Sequence, residues 1–251
     1  VSRHGDRIQI RQKEPEPWPH WRRRLRPLHL QILVPKALAA VEARIGLGSI
    51  VGRGLTARVD LTSGKGDIRL SEGSPQGQLS TGLGEVTVAG VHGELAVRTG
   101  CGNVTVRDLL GGRLRISTGS GRISLRGGHL DGLEASSGAG DVECACALGR
   151  GDFAVQSGAG VITVEMPADQ AVQIEATTSM GQVKSDWPRV RVGRPGPAAA
   201  GSMRMVGSAG DEEKRARLTL RTGMGNVYLR RAGGEEPVGA QPAARAAEAA
   251  T

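Results

Sequence analysis

Apolar and polar residues alternate in short runs along most of this chain. Val86-Thr87-Val88, Val104-Thr105-Val106, Ile123-Ser124-Leu125 and Ile162-Thr163-Val164 are four such runs. A period of two puts alternate side chains on one buried face of a β-strand. Each run is introduced by the same phrase, Thr/Ser-Gly-x-Gly followed by one residue, usually polar. The second glycine falls at Gly48, Gly66, Gly84, Gly102, Gly121, Gly140, Gly160, Gly181 and Gly225, in steps of 18, 18, 18, 19, 19, 20, 21 and 44. A nearly constant step of this size marks stacked coils. A second alternating run precedes each glycine pair, as in Leu95/Val97, Leu114/Ile116, Phe153/Val155 and Leu218/Leu220. Each coil therefore reads strand, glycine bend, strand, glycine-rich bend, with no helical period between them. The expected fold is all-β: a single-chain β-solenoid, or β-helix, with coils of 18–21 residues and two main strands per coil. The 44-residue step spans about two periods, so it should hold an insertion or an irregular coil before the last phrase.

Coils stacked about 4.8 Å apart bring equivalent residues into ladders. The inward ladders are Ile, Val and Leu. A row of hydroxyls, Ser63, Thr81, Thr99, Thr118, Ser137, Ser157, Thr178 and Thr222, stands just before the bends. It should satisfy backbone groups of the turns. The two glycines of the phrase differ across copies. The first slot accepts Ser179 once, whereas the second is always glycine. The second should thus need positive φ or a close backbone approach, and the first should tolerate a Cβ. A left-handed hexapeptide helix also has 18-residue coils, but steps of six from Val86 reach His92 and Arg98, which excludes that template.

Composition sharpens the picture in three places. Aromatic residues are 2% of the chain, as a thin two-sheet interior requires. The net charge of +8 is concentrated at one end: residues 1–36 hold nine Lys/Arg against three acids, and the remaining 215 residues carry only +2. The long faces of the solenoid are therefore not a phosphate track. The three cysteines form no disulfide framework. Cys144 occupies the slot of Val106 and Leu125 in other coils, and Cys146 points the same way, so both read as buried small apolar residues.

Residues 7–11 alternate as a strand, and residues 28–34 form another that ends at Pro35. Between them lies a proline-rich basic loop carrying Trp18, Trp21, Arg22, Arg23, Arg24 and Arg26, a possible contact for phosphate or a membrane surface. Residues 1–36 are thus expected to be an end cap and residues 37–232 the repeat domain. A mobile excursion is expected at about 188–213 and a disordered tail at 233–251. No signal peptide and no apolar run of about 18 residues is found, which leaves a cytoplasmic or an envelope-associated location.

Chemistry is sparse. The five histidines lack metal-ligand spacing, and no nucleophile–base arrangement can be built. The Gly-x-Gly phrase lacks a third glycine and leads into a strand, so it is not a dinucleotide fingerprint. Nor is it a calcium nonapeptide, because Ile or Val stands where that repeat needs Asp. Asp67 and Glu85 should be neighbours on one outer face, with Asp141 and Glu143 further along. Their ladder continues Asn103 and Arg122, the mixed pattern of a solvated face. No catalytic residue, metal or cofactor is expected.

The nine registered phrases, Leu33-Val34-Pro35 leading into the first coil, and the terminal Arg-Thr-Gly-Met-Gly-Asn-Val-Tyr-Leu resemble the bacterial putative-adhesin family of β-strand-repeat domains of unknown function. The resemblance covers about residues 28–231. It implies a single-chain β-solenoid often tied to the cell envelope, with no enzymatic residues to carry over. The leading expectation is a non-catalytic binding or scaffold protein, an adhesin being one form. Its partner would be a protein or a cell-surface polysaccharide. The alternatives are a self-polymerising structural protein of bactofilin type and, as the weakest, a polysaccharide-active β-helix enzyme.

Overall fold

The computed structural model describes residues 2–4, 7–11, 40–187, 190–193, 202–209 and 216–232. All of its regular structure is strand. Each repeat contributes one strand to each of two sheets. The strand ending in the Gly-x-Gly bend joins sheet A. These strands are β3 (Ala40–Leu47), β5 (Arg58–Lys65), β7 (Gln76–Leu83), β9 (Leu95–Cys101), β11 (Arg113–Ser120), β13 (Gly132–Ala139), β15 (Asp152–Ala159), β17 (Val172–Met180) and β21 (Ala216–Met224). The strand after the bend joins sheet B: β4 (Ile50–Leu55), β6 (Ile68–Gly73), β8 (Val86–Ala89), β10 (Val104–Leu110), β12 (Ile123–Leu130), β14 (Val142–Leu148), β16 (Ile162–Met166), β18 (Val183–Ser185) and β22 (Val227–Arg231). Strands within these two sets pair in parallel, so each coil lies on the next in register, as Val86↔Val104↔Ile123 illustrates.

The inner faces supply one continuous core. Val59, Leu79, Val97, Ile116 and Val155 come from sheet A, and Ile68, Val86, Val104, Ile123 and Ile162 from sheet B; all are almost fully buried. Cys144 and Cys146 are buried with them, as the alternation requires. Thr87, Thr105 and Ser124 lie between these core positions on the outer face.

The stacking order holds the main departure from the sequence reading. Sheet B runs β18-β22-β16-β14-β12 and onward to β4, and sheet A carries β21 between β15 and β17. The last phrase of the chain is therefore not the last coil of the stack. It is inserted one level inward, pairing with β15 and β16 on one side and with β17 and β18 on the other. The alternation identified the coil correctly, but a repeat phrase carries no information about which neighbour it will meet.

Both ends of sheet A turn antiparallel. β1 (Ser2–His4) pairs antiparallel with β2 (Arg7–Arg11), which lies parallel to β3. At the other end, within the span 188–213, β20 (Met203–Ala209) pairs antiparallel with β17, and β19 (Val190–Gly193) pairs antiparallel with β20. The expected strand at residues 28–34 and the tail after residue 232 lie outside the described residues.

Candidate binding face

The conserved-looking chemistry of the repeat is structural. All nine second-slot glycines have φ between 138° and 155°. A Cβ on any of those from Gly66 onward would strike the carbonyl oxygen of the second-slot glycine one level away. That same carbonyl accepts the hydroxyl row: Ser63 Oγ donates to the Gly48 oxygen at 2.9 Å, Thr81 to Gly66 at 2.9 Å, and Thr222 to Gly160 at 3.0 Å. The first slot is tighter than the sequence suggests. Its glycines have no positive φ, yet a Cβ on Gly64, Gly82, Gly100 or Gly119 would come 2.6 Å from the carbonyl oxygen of the first-slot glycine below. Ser179 is admitted in β17, the outermost parallel level, just past the last pair with β20, Thr178↔Met203. There a small displacement has no further coil to propagate into.

The residue after each bend does similar work. Asp67 Oδ1 accepts the Glu85 N–H at 3.0 Å, Asn103 Oδ1 the Arg122 N–H at 2.9 Å, and Asp141 Oδ1 the Val161 N–H at 2.9 Å. These side chains cap the backbone of the next level. Arginines occupy the carboxylates further: Arg69–Asp67 at 3.1 Å, Arg122–Asp141 at 3.3 Å and Arg126–Glu143 at 3.6 Å. The acids that the sequence singled out therefore serve the stack and its ion pairs. Sequence reading found their shared face but not their capping role, which depends on the level spacing.

The Cys144 and Cys146 sulfurs lie 3.4 Å apart. The hydrogen bond to Cys146, with burial, pushes the Cys144 thiol well above its ordinary value. His129 Nε2 is 3.9 Å from Asp131 on the exposed surface. Among the described residues, no group of three or more His, Cys, Asp or Glu is arranged to hold a metal ion. The basic-loop residues Trp18, Trp21, Arg22, Arg23, Arg24 and Arg26 lie outside the described residues.

One concavity opens on the outer face of sheet A. It has a volume of about 290 Å³ and is lined by Arg58, Gln76, Gly77, Glu94, Leu95, Ala96, Arg113 and Arg115. Its walls come from β5 on one side and β11 on the other, and its floor from β7 and β9. In register, Arg58 lies beside Gln76, and Leu95 beside Leu114 sets Glu94 against Arg113. The floor is low where the small Ala96 stands on the outer face; Gly77 is in register with the inward-facing Val59 and Leu95, and a Cβ on it would strike the Val59 carbonyl oxygen. Arg115 reaches Glu134 at 3.2 Å, an exposed pair that contributes little. Neither Arg58 nor Arg113 makes an ion pair among the described residues. No motif announces this groove, because its residues come from four coils and its charges average out along the sequence.

The model of the Toastrack DUF4097 family matches residues 2–227. No curated protein matches the chain. Among solved structures, a Clostridium sporogenes protein described as a "putative cell adhesion protein" is 15% identical with a TM-score of 0.35; the match covers 48% of this chain and 56% of that one, about half the length of each. Among the described residues, no helix is long and apolar enough to cross a membrane.

Proposed function

The chain belongs to the Toastrack DUF4097 family, and from that premise we propose that it is a non-catalytic binding and scaffold protein that holds an acidic cell-surface polysaccharide across sheet A. The observation that carries this reading is the groove lined by Arg58 on one wall and Arg113 on the other, across β7 and β9, neither of them in an ion pair among the described residues. Three strand spacings separate those walls, about 14 Å, which is wide enough for a sugar chain lying along the strands. Guanidinium forks match carboxylates in two-point hydrogen bonds. Gln76 and Glu94 between them suit sugar hydroxyls. No aromatic ring lines the groove to stack a base. An acidic glycan therefore fits better than a nucleic acid. End-to-end polymerisation has less support, because the antiparallel strands β1 and β19 at the ends of sheet A do not continue a parallel stack.

Affinity electrophoresis tests this reading. The protein should be retarded by polygalacturonate and not by neutral dextran, and the Arg58→Gln/Arg113→Gln variant should lose most of that retardation with its melting temperature unchanged. Equal retardation of variant and parent, or none of the parent by polygalacturonate, would reject the groove as the binding face.

A further inference from the structure

Among the described residues, the coil β21–β22 stands out of chain order in the stack, between β15/β16 and β17/β18. Residues 172–185 form a level of their own, and residues 216–231 then return to fill the level beneath it. Covalently, the inserted coil is joined to the preceding strand, β20, through the six residues 210–215. Every contact that positions it is made with two other levels. On one side Asp152↔Arg217 through Ala159↔Met224 pair in sheet A, with Ile162↔Val227 through Met166↔Arg231 in sheet B. On the other side Val172↔Ala216 through Met180↔Met224 pair, with Val183↔Val227 through Ser185↔Leu229.

The bend is matched on both sides as well. Thr222 Oγ1 donates to the Gly160 oxygen, Thr178 Oγ1 donates to the Gly225 oxygen at 2.9 Å, and Asn226 Oδ1 accepts the Gln182 N–H at 2.9 Å. Without the coil, four strand edges, β15, β16, β17 and β18, would each expose a row of backbone donors and acceptors. Such edges pair with whatever strand presents the right pattern. The pattern required is this chain's own β21–β22, and each copy of the protein carries one.

We propose that two copies of this chain assemble by exchanging the β21–β22 coil, each filling the slot between the β15/β16 and β17/β18 levels of the other. The exchanged contacts are those of the single chain, with the crossing between copies falling between β20 and β21. This is the general condition for domain swapping. The partner is a second copy of the chain. Another repeat protein would have to reproduce the match of Phe153 and Ile174 to Leu218, and of Ala159 and Met180 to Met224.

Ala159 and Met224 are direct partners and both lie at the surface of the bend, so they report where the coil sits. In a full-length Cys101→Ser background, Ala159→Cys and Met224→Cys are made separately and together, one copy bearing a mass tag. The proteins are unfolded in guanidinium, refolded by dilution and oxidised with glutathione disulfide, which takes up the two thiol hydrogens as reduced glutathione. The double variant should form its bond within one chain when refolded dilute. A mixture of the two single variants refolded at high concentration should give a heterotypic covalent dimer, several-fold above either homotypic dimer and rising with concentration. An intrachain bond in the double variant with no heterotypic excess in the mixture overturns the proposal. Should the introduced cysteines prevent folding, light scattering of the unmodified protein after concentrated refolding decides it. A dimer that persists on dilution supports exchange, and monomer alone overturns it.

Discussion

Levels one to seven of the solenoid and the two beyond them are built from the same phrase, yet they are assembled differently. From β3 to β16 the order of coils in space is their order in the chain, with steps of 18 to 20 residues between register glycines. Beyond β16 the order inverts, and the 44-residue step from Gly181 to Gly225 leads back into the stack. The difference lies in the connections. Where only a few residues join sheet B to the next sheet A strand, the chain reaches no level but the adjacent one. Where β19 and β20 intervene, the chain is free to return, and the coil takes the site with two neighbours in place of an edge with one. The repeat specifies what a coil is; the connection specifies where it goes.

The sharpest way to break this comparison is a buried charge placed once in each region. Val104 and Val227 are both fully buried at equivalent positions. Val104→Asp and Val227→Asp should each cost several kcal/mol by burying an unpaired carboxylate. Their reach should differ. Hydrogen exchange is expected to show lost protection on both sides of β10 for Val104→Asp, and loss confined to residues 152–231 for Val227→Asp. Indistinguishable exchange maps would mean that the inserted coil and the regular stack form one cooperative unit. Thr105→Asp, on the outer face, is the control and should cost little.

A smaller effect tests the bends. Gly102 needs both positive φ and room for the Gly84 oxygen, whereas Gly100 needs only room for the Gly82 oxygen. Serine at Gly102 should cost roughly 1–3 kcal/mol of backbone strain in addition to the clash. Serine at Gly100 should also destabilise, but less. Urea melts compare the two, and equal midpoints would show that the close approach alone decides glycine at both slots.

The smallest effect concerns the other bend, where the stack is less strict. Gly54, Glu72, Gly90, Asp108 and Gly127 are register equivalents with φ between 51° and 70°. Glutamate is poorly suited to that conformation. Glu72→Gly should leave stability unchanged or raise it by up to about 1 kcal/mol, relief of strain being offset by the entropy of glycine in the unfolded chain. A clear drop in melting temperature would mean that the Glu72 side chain contributes more than its backbone costs.

Much of this architecture was legible from residues alone, and the reasons are physical. Inward ladders such as Val86, Val104 and Ile123 follow from alternation, which is a local property of a strand. The hydroxyl row was legible because Thr81 and Thr99 recur at a fixed distance before the glycine. What escaped depends on contacts between levels. The steric demand at Gly64 and Gly82 comes from a carbonyl 18 residues earlier. The cap that Asp67 provides to Glu85 exists only once the coils are stacked. The groove of Arg58 and Arg113 needs four coils in register, and within any one coil it is a lone arginine.

The inverted order has a consequence for synthesis. The β17/β18 level is complete at Ser185, but the coil that supports it ends at Arg231, 46 residues later. At a translation rate of about 5–20 residues per second, that interval lasts a few seconds. During that time the nascent protein carries a finished seven-level stack with an unsatisfied edge and a next level lacking its seat. A solenoid built strictly in order would close each level as it emerged. This one leaves its tip unfinished until nearly all of its described residues have been made, and on a polysome the neighbouring nascent chain is the closest source of the missing coil.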